Sequence, residues 1–590
     1  MDPINVNFTG SEGKREKAAY TAFVPVKNAW KKITLNVVLT LVIAAVAYYF
    51  MLPALNFKSM ELYFFVGIMC AVYFGLTILT SKAFVNPEYI PYVKKQAIAP
   101  AIIVGLLVVV GVIGTLAGST IIRANSYSKL LNVQEGDFAK DVAEINFSSV
   151  PILDSFSSNK IAERTLGDLS DKVSQFIVSP NSTQINYKGV PTRVTALDYG
   201  DIFKWVKNTK DGIPAYITVD MTTQEGNIVR LEQGMKYSPS EHFGRYLMRY
   251  LRFKYPTYMF ETPSFEINEE GTPFWIVPIM DKTIGLFGGI DIIGAVAVDA
   301  ITGETNVIST NLEGKTKLNT TQFVTDKNWQ WIDRIYSADI LNAQYNYYGQ
   351  LSGGFINSII GQEGVKVTSQ GYNYLALNDD VYMYTGVTSI SSDQSIIGFV
   401  LLNQRTKETR FYQISGALEG TAQTSAQGAV QQYKYEATFP LLLNISGEPT
   451  YFISLKDTSQ LVKMFAMVNV KQSTIVGIGT NLTECTEKYA AELKRNGINV
   501  DINIDDLGEE KLPGVNNVPT IDVTGAITEI RSAVIGGESC YYIKLSGNAP
   551  FFKVKASMAE KVIILNVGDT ITISVDGEIK GDIMEAKAIK

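Results

Sequence analysis

The hydrophobic pattern of this chain changes character twice. Near its start, residues 33–52, 62–80 and 96–122 each run without a charged residue and are largely apolar. A helix needs roughly 18–20 apolar residues to cross a bilayer, longer than most buried core helices run without a charge. The pattern therefore predicts three membrane spans. The first follows a long polar stretch and precedes no small-residue cleavage site, unlike a signal peptide. Tyr48, Tyr49, Tyr63, Tyr89 and Tyr92 stand near the run ends, as interfacial aromatic residues do. Gly105, Gly111, Gly114 and Gly118 in the third run suit close helix packing, although glycine is common in membrane helices.

After Arg123 the apolar residues take strand and helix periods in turn. Helical spacing predicts helices over 161–176, 240–253, 418–432 and 483–495, the last ended by Gly497. Between them strands recur. Residues 293–305 align with 397–409, with identities at Ile, Gly, Val, Thr, Glu and Thr. Asp299 and Asn403 occupy equivalent places, where an Asx side chain starts a turn by bonding its own backbone. A second element, Gly-x-Pro-x-aromatic, recurs at Gly212–Tyr216, Gly271–Trp275 and Gly447–Tyr451. Each opens a strand, where proline's missing N–H is tolerated. Residues 505–519 are acidic, then rich in Gly, Pro and Asn, and read as a linker. Alternation then resumes over 523–530, 541–545, 551–556, 570–575 and 584–589, with a short helix around 558–562.

The hairpin ending Val298-Asp299-Ala300-Ile301-Thr302-Gly303-Glu304 resembles the closing hairpin of PepSY domains, which are cystatin-like in shape. The Gly271-x-Pro273-x-Trp275 strand start suits the same module. The copy at Asn403 departs at two turn positions, and a third after Asn469 lacks the Thr-Gly-Glu turn. The resemblance implies helix-on-antiparallel-sheet modules with binding, inhibitory or regulatory roles. Three spans followed by such repeats also resemble large envelope proteins of Gram-positive bacteria. The five C-terminal strands, with Val567-Gly568-Asp569-Thr570 before the fourth, resemble an OB-type barrel.

Charge adds an orientation. Lys14, Arg15, Lys17, Lys27, Lys31 and Lys32 precede the first span. Lys58 alone separates the first two, and Lys82, Lys94 and Lys95 separate the last two. The positive-inside rule then predicts a cytoplasmic N-terminus and an extracytoplasmic region over 123–590. No Asp, Glu, Lys or Arg lies inside a span, so no transport pathway has visible ligands. With 52 basic against 58 acidic residues the chain lacks the footprint of a nucleic-acid binder, and no nucleic-acid partner is expected.

Candidate chemistry is sparse. The single histidine, His242, excludes sites built on two histidines, and reads as a helix-start residue making a local hydrogen bond. Arg245, Arg249 and Arg252 recur at i, i+4 and i+7. They predict one cationic helix stripe able to hold lipid headgroups or anionic wall polymer, with a solvated face pairing Glu241 to Arg245 as the plainer reading. Asp501, Asn503 and Asp505 open like a calcium loop, but Asp506 and Leu512 replace the required Gly and Glu, so neither metal nor cofactor is expected. Cys485 and Cys540 could pair or stay free.

The fold class expected is a membrane protein. Three N-terminal transmembrane helices lead into an α+β extracytoplasmic region of repeated helix-on-antiparallel-sheet units and a small C-terminal β-barrel. The expected divisions are a tail (1–32), spans (33–122), two PepSY-like regions (123–318 and 319–510), a linker (511–519) and the barrel (520–590). The function expected is a membrane-anchored scaffold of the cell envelope, with the lipid bilayer, other envelope proteins and anionic wall polymer as partners. Two alternatives stand beside it. A peptide-sensing or protease-regulating module requires a groove beside the hairpin at 398–411. A carboxylate-dependent wall hydrolase requires two carboxylates about 5–9.5 Å apart in one cavity.

Overall fold

The computed structural model describes residues 26–142, 150–169, 172, 174–310, 317–377, 379–390, 395–500, 520–535, 538–547, 550–555, 560–576 and 583–589. The calcium-like run and the linker lie outside the described residues. The chain divides into two compact units, Met1–Gly508 and Glu509–Lys590.

The three apolar runs form α1 (Ala29–Met51), α2 (Met60–Ser81) and α3 (Ile90–Ala117), each long and apolar enough to cross a membrane. Side chains such as Leu41, Phe64 and Ile113 stay exposed, as suits helices surrounded by lipid. Buried Asn36 donates from Nδ2 to Thr77 Oγ1 (3.3 Å), tying α1 to α2. At one end of the bundle Val26, Ala83, Tyr92 and Val93 pack together. The third helix stops five residues short of the apolar run. Gly118 caps it, Ser119 is extended, and Ile121 and Ile122 start a separate helix, α4 (Thr120–Tyr127).

Four larger sheets follow, mostly antiparallel. After β1 (Val133–Glu135) and α5 (Phe138–Asp141), α6 (Ser155–Thr165) packs on the first sheet. That sheet runs in sequence order through β2 (Phe176–Tyr187), β3 (Val190–Tyr199), β4 (Ile213–Asp220) and β5 (Gly226–Met235), with α7 (Ile202–Asn208) between β3 and β4. The helix expected over 161–176 is thus shifted. Asp154 caps it early, its carboxylate accepting from Ser157 N (2.8 Å), and the chain is already a strand at Phe176.

The second sheet follows α8 (Leu247–Lys254). It contains β6 (Met259–Phe260), β7 (Ser264–Ile267), β8 (Pro273–Ile284), β9 (Gly288–Asp299) and β10 (Thr305–Ser309). Next come α9 (Ala338–Leu351) and α10 (Phe355–Ile359). The third sheet has β11 (Lys366–Thr368), β12 (Asn373–Leu377), β13 (Asp380–Ser389), β15 (Gly398–Asn403) and β16 (Thr409–Tyr412). The small pair β14 (Ser395–Ile396) and β17 (Gly416–Ala417) stands apart from it. After α11 (Glu419–Ala429) the fourth sheet has β18 (Glu436–Ala437), β19 (Leu441–Ile445), β20 (Glu448–Lys456), β21 (Val462–Asn469) and β22 (Val476–Gly479), with α12 (Leu482–Arg495) against it.

The second, third and fourth sheets share cores. Leu341 and Tyr345 of α9 lie in one apolar cluster with Ile276 and Ala297 of the second sheet and Met383 and Leu402 of the third. Ala422 and Ala426 of α11 lie in another, with Phe399 of the third sheet and Ile453 and Val468 of the fourth. The alanines allow this closeness, because a larger residue would separate the sheets. A divide at residue 318 therefore runs through a common core. Nor does the third sheet belong only to residues after 319, since β1 pairs in parallel with β16, Gln134 opposite Arg410.

The repeated turn is realised three times with the same bonds. Asp299 Oδ1 accepts from Ile301 N and Thr302 N, and Asn403 Oδ1 from Arg405 N and Thr406 N. Asp220 Oδ1 accepts likewise from Thr222 N and Thr223 N, a copy that the alignment above omits. The pattern is Asp/Asn-x-x-Thr-x-Glu, with a left-handed residue before the Glu: Gln224 (φ 62°), Gly303 (77°) or Lys407 (69°).

The second unit is a closed barrel. Its strands are β23 (Thr520–Ile535), β24 (Glu538–Leu545), β25 (Phe551–Lys555), β26 (Thr570–Asp576) and β27 (Ile583–Ile589), in the order β23-β24-β25-β27-β26. The long β23 pairs with β26 over its first half and β24 over its second, which closes the sheet on itself. Only β25 and β27 run parallel. Ile543, Phe552, Val554 and Ile573 fill the interior.

Candidate functional site

The predicted cationic stripe lies where one end of the α1–α3 bundle meets the second sheet, and it is not one stripe. Phe243–Arg245 form a 3-10 turn, Tyr246 is non-helical (φ −56°, ψ 116°), and α8 starts only at Leu247. Arg245 Nη1 donates to Thr209 O (2.6 Å). Arg249 Nε donates to Tyr49 O (2.9 Å), and its guanidinium lies 4.2 Å from the centre of the Tyr49 ring. Arg252 Nε donates to Leu52 O (3.0 Å) and its Nη1 to Tyr258 O.

The acceptors explain the arrangement. Tyr49 and Leu52 belong to the last turn of α1 and its cap, where carbonyls have no intrahelical donor and the helix dipole is negative. Arg249 and Arg252 supply both the donors and the positive charge. All three residues expected to hold an external anion thus have acceptors inside the chain. Burial lowers the pKa of Arg252, but a guanidinium remains charged.

The loop between α1 and α2 adds further ties. Leu55 N donates to Pro256 O (2.8 Å) and Asn56 Nδ2 to Thr257 O (3.0 Å). Lys58 Nζ pairs with Asp281 (2.8 Å) and donates to Lys282 O (2.6 Å), while Lys317 reaches the other Asp281 oxygen (3.1 Å). Burial alone would raise the Asp281 pKa; the two lysines outweigh it and hold the carboxyl below its usual range. A cavity of about 210 Å³ beside these groups is lined by Lys58, Glu61, Arg252, Met280 and Phe287 among others.

The third span is tied by its glycines. A Cβ on Gly114 would come within 2.6 Å of the Phe287 ring, and one on Gly118 within 3.0 Å of Ile284 O. Gly105 and Gly111 have nothing within 4 Å. Two of the four glycines therefore admit the β8–β9 hairpin rather than another span. Tyr127 donates to Gly118 O (2.6 Å) and accepts from Gly289 N (3.2 Å). Lys58, Asp281, Tyr127 and Phe287 escaped the sequence reading. Lys58, the lone basic residue between two apolar runs, was the available signal.

His242 is exposed and packs edge-on against Trp205 (4.9 Å between ring centres). Its buried neighbour Glu241 does not pair with Arg245 in the expected way. It accepts from Tyr199 Oη and Trp205 Nε1, both at 2.7 Å. Cys485 is buried in α12, which pushes its thiol pKa up, and Cys540 is buried in the barrel; among the described residues no disulfide joins them.

Three larger cavities bear on the other readings. The one nearest the hairpin, about 630 Å³, lies by Tyr412, Gln413, Asp137 and Lys471, but the hairpin's edge at β16 is already occupied by β1. Another, about 770 Å³, lies between β11 and the start of α11 and contains Glu419. Burial raises the Glu419 pKa, although Ser369 Oγ (2.9 Å) and Gly386 N (2.7 Å) donate to it. A third, about 350 Å³, contains Arg193 and Asp154. Among the described residues each of these four cavities is lined by a single carboxylate: Glu61, Asp137, Glu419 or Asp154.

No family model and no curated protein matches the chain. Among solved structures it has a faint likeness to a levansucrase variant of B. megaterium. Identity is 9% over 79% of this chain and 97% of that one, with a TM-score of 0.17. An ACO/RPE65 chimera gives 7% identity over 70% and 64% of the two chains, with a TM-score of 0.12. Neither likeness carries an argument about fold or function.

Proposed function

We propose that this protein is a membrane-anchored scaffold of the cell envelope. Its N-terminus is cytoplasmic, residues 123–590 are extracytoplasmic, and it acts through protein contacts. The observation that carries the reading is the junction just described. Arg249, Arg252, Lys58 and Tyr127 tie α1, the loop leading into α2 and the end of α3 to α8 and the second sheet, so a force or position imposed on the sheets reaches the bilayer. The shared cores beyond it suit a stiff arm. The Lys and Arg distribution around the spans supports the orientation.

The four sheets, with their helices and Asx turns, support the PepSY-like reading. The closing order β23-β24-β25-β27-β26, with a short helix at Glu560–Ile564 between β25 and β26, supports an OB-type barrel. Exposed Ile563 and Ile564 offer it a protein-contact surface. The single carboxylate in each of the four cavities favours the scaffold over a two-carboxylate hydrolase.

Two measurements test this. A cysteine replacing exposed Lys82 is expected to resist an impermeant thiol reagent in intact cells, while one replacing Glu363 reacts; the converse would overturn the orientation. Ile563→Glu with Ile564→Glu is expected to leave the barrel folded and remove co-purifying envelope proteins. An unchanged set of partners, with similar indifference to charge placed at exposed Phe203 and Ile356, would sink the scaffold reading.

A further inference from the structure

The 350 Å³ cavity lies between the first sheet, the segment before α9 and the start of β12. Arg193 on β3 is only 6% exposed, yet no carboxylate lies within ion-pair distance of it among the described residues. Its Nη1 donates to Ser155 Oγ (3.2 Å) and Ser182 Oγ (3.3 Å), while its Nε has no acceptor. Gln184, 5% exposed and on the same wall, has an Nε2 with no acceptor either. Buried donors without partners are costly, a guanidinium most of all. Two such groups on one cavity mark a place built for something that accepts.

The charges around the cavity define the acceptor. Arg334 contributes a second guanidinium, and the two repel, each unfavourable to the other's charge. Asp154 is the only carboxylate on the wall, and its oxygens are engaged by Lys456 Nζ (2.7 Å) and Ser157 N (2.8 Å). Glu266, which is not on the wall, accepts from Arg334 N (3.2 Å). The two guanidiniums outnumber the one carboxylate on the wall, which fits an anion. Tyr372, Tyr374 and Phe439 supply aromatic surface beside the polar groups, and the volume suits a ligand of one sugar ring or two amino-acid residues.

We propose that this cavity binds a small carboxylate-bearing ligand. The carboxylate accepts from the Arg193 and Arg334 guanidiniums and the Gln184 amide, and the body of the ligand lies against Tyr372 and Tyr374. Planar guanidinium forks match the two carboxylate oxygens, and the amide adds a further donor. The inference is independent of the scaffold reading, which requires no small ligand.

Titration calorimetry on the full chain in detergent tests it, with four probes: acetyl-alanyl-alanine, its C-terminal amide, glucuronate and inorganic phosphate. At least one of the two carboxylates is expected to bind, and which one binds separates a peptide terminus from an acidic sugar. Amide and phosphate are expected to bind at least tenfold more weakly. Arg193→Met is expected to reduce carboxylate affinity at least tenfold without lowering the melting temperature, because it removes an unpaired buried charge. Should that variant fail to fold, Arg334→Gln, on a half-buried side chain, is expected to show the same loss. The proposal is overturned if neither carboxylate binds, if amide or phosphate binds as tightly as the acids, or if affinity survives substitution of the arginines.

Discussion

Arg252 concentrates the argument at the scale of single residues. Its guanidinium reaches the carbonyls of Leu52 and Tyr258, and only 5% of the residue is exposed. Hydrogen bonds from charged groups contribute about 1.5–3 kcal/mol, so Arg252→Ala is expected to destabilise the first unit by roughly 2–3 kcal/mol. Thermal melting in detergent checks this, and Arg252→Lys should recover only part, because an ammonium lacks the planar fork. Glu266 gives a pH dependence. It is fully buried, accepting from Asp333 N (2.8 Å) and Arg334 N (3.2 Å), and burial pushes its pKa up to about 7. Buried Asp333 is raised for the same reason and by the nearby Glu266 charge. A raised acid favours the folded state while protonated. This contribution is complete below the unfolded pKa near 4.5 and is lost as pH rises to about 7. The shift is worth on the order of 3 kcal/mol. Melting temperature should therefore fall over that window, and Glu266→Gln should flatten the fall; an unaltered pH profile in the variant would refute the assignment.

Elements show where the sequence was readable. The Asx turn at Asp299 and Asn403 was legible because the bonds that make it are local. The copy at Asp220 carries the same Asp, Thr and Glu spacing and was missed because its flanking apolar residues differ. At the left-handed position the three copies predict opposite effects. Gln224→Gly should stabilise by about 0.5–1 kcal/mol, since a Cβ there costs roughly 1–2 kcal/mol. Gly303→Ala should destabilise by more than 1 kcal/mol, because its Cβ would also meet the Tyr237 ring. Chemical denaturation of both variants decides it. Helix limits were less legible. The shift of α6 follows from Asp154 acting as its cap, and the stripe of arginines failed because Tyr246 leaves helical geometry, which periodicity alone does not reveal.

For the whole molecule, the division into two compact units has a thermodynamic consequence. The barrel has its own closed sheet and core. A chain ending at Gly508 should keep the main calorimetric transition of the full protein, and a separate transition should disappear. A shift of the main transition by several degrees would mean that the barrel stabilises the rest. Within Met1–Gly508 no such separation is expected, because α9 and α11 each serve two sheets and β1 extends a sheet formed mostly by residues far along the chain.

The sequence by itself determined the three apolar helices, the alternation of helices with antiparallel strands, the hairpin turns and the C-terminal strands. Each follows from local chemistry: a run without charge, a period of two or 3.6, an Asx side chain bonding its own backbone. Only the tertiary structure decided what Arg249 and Arg252 do, since the carbonyls they reach lie about two hundred residues earlier in the chain. It also decided that Gly114 and Gly118 admit a hairpin, that the second, third and fourth sheets share cores, and that Arg193 stands unpaired at a cavity. These depend on groups distant in sequence meeting in space, and hydrophobic pattern carries no record of which distant partner a residue will find.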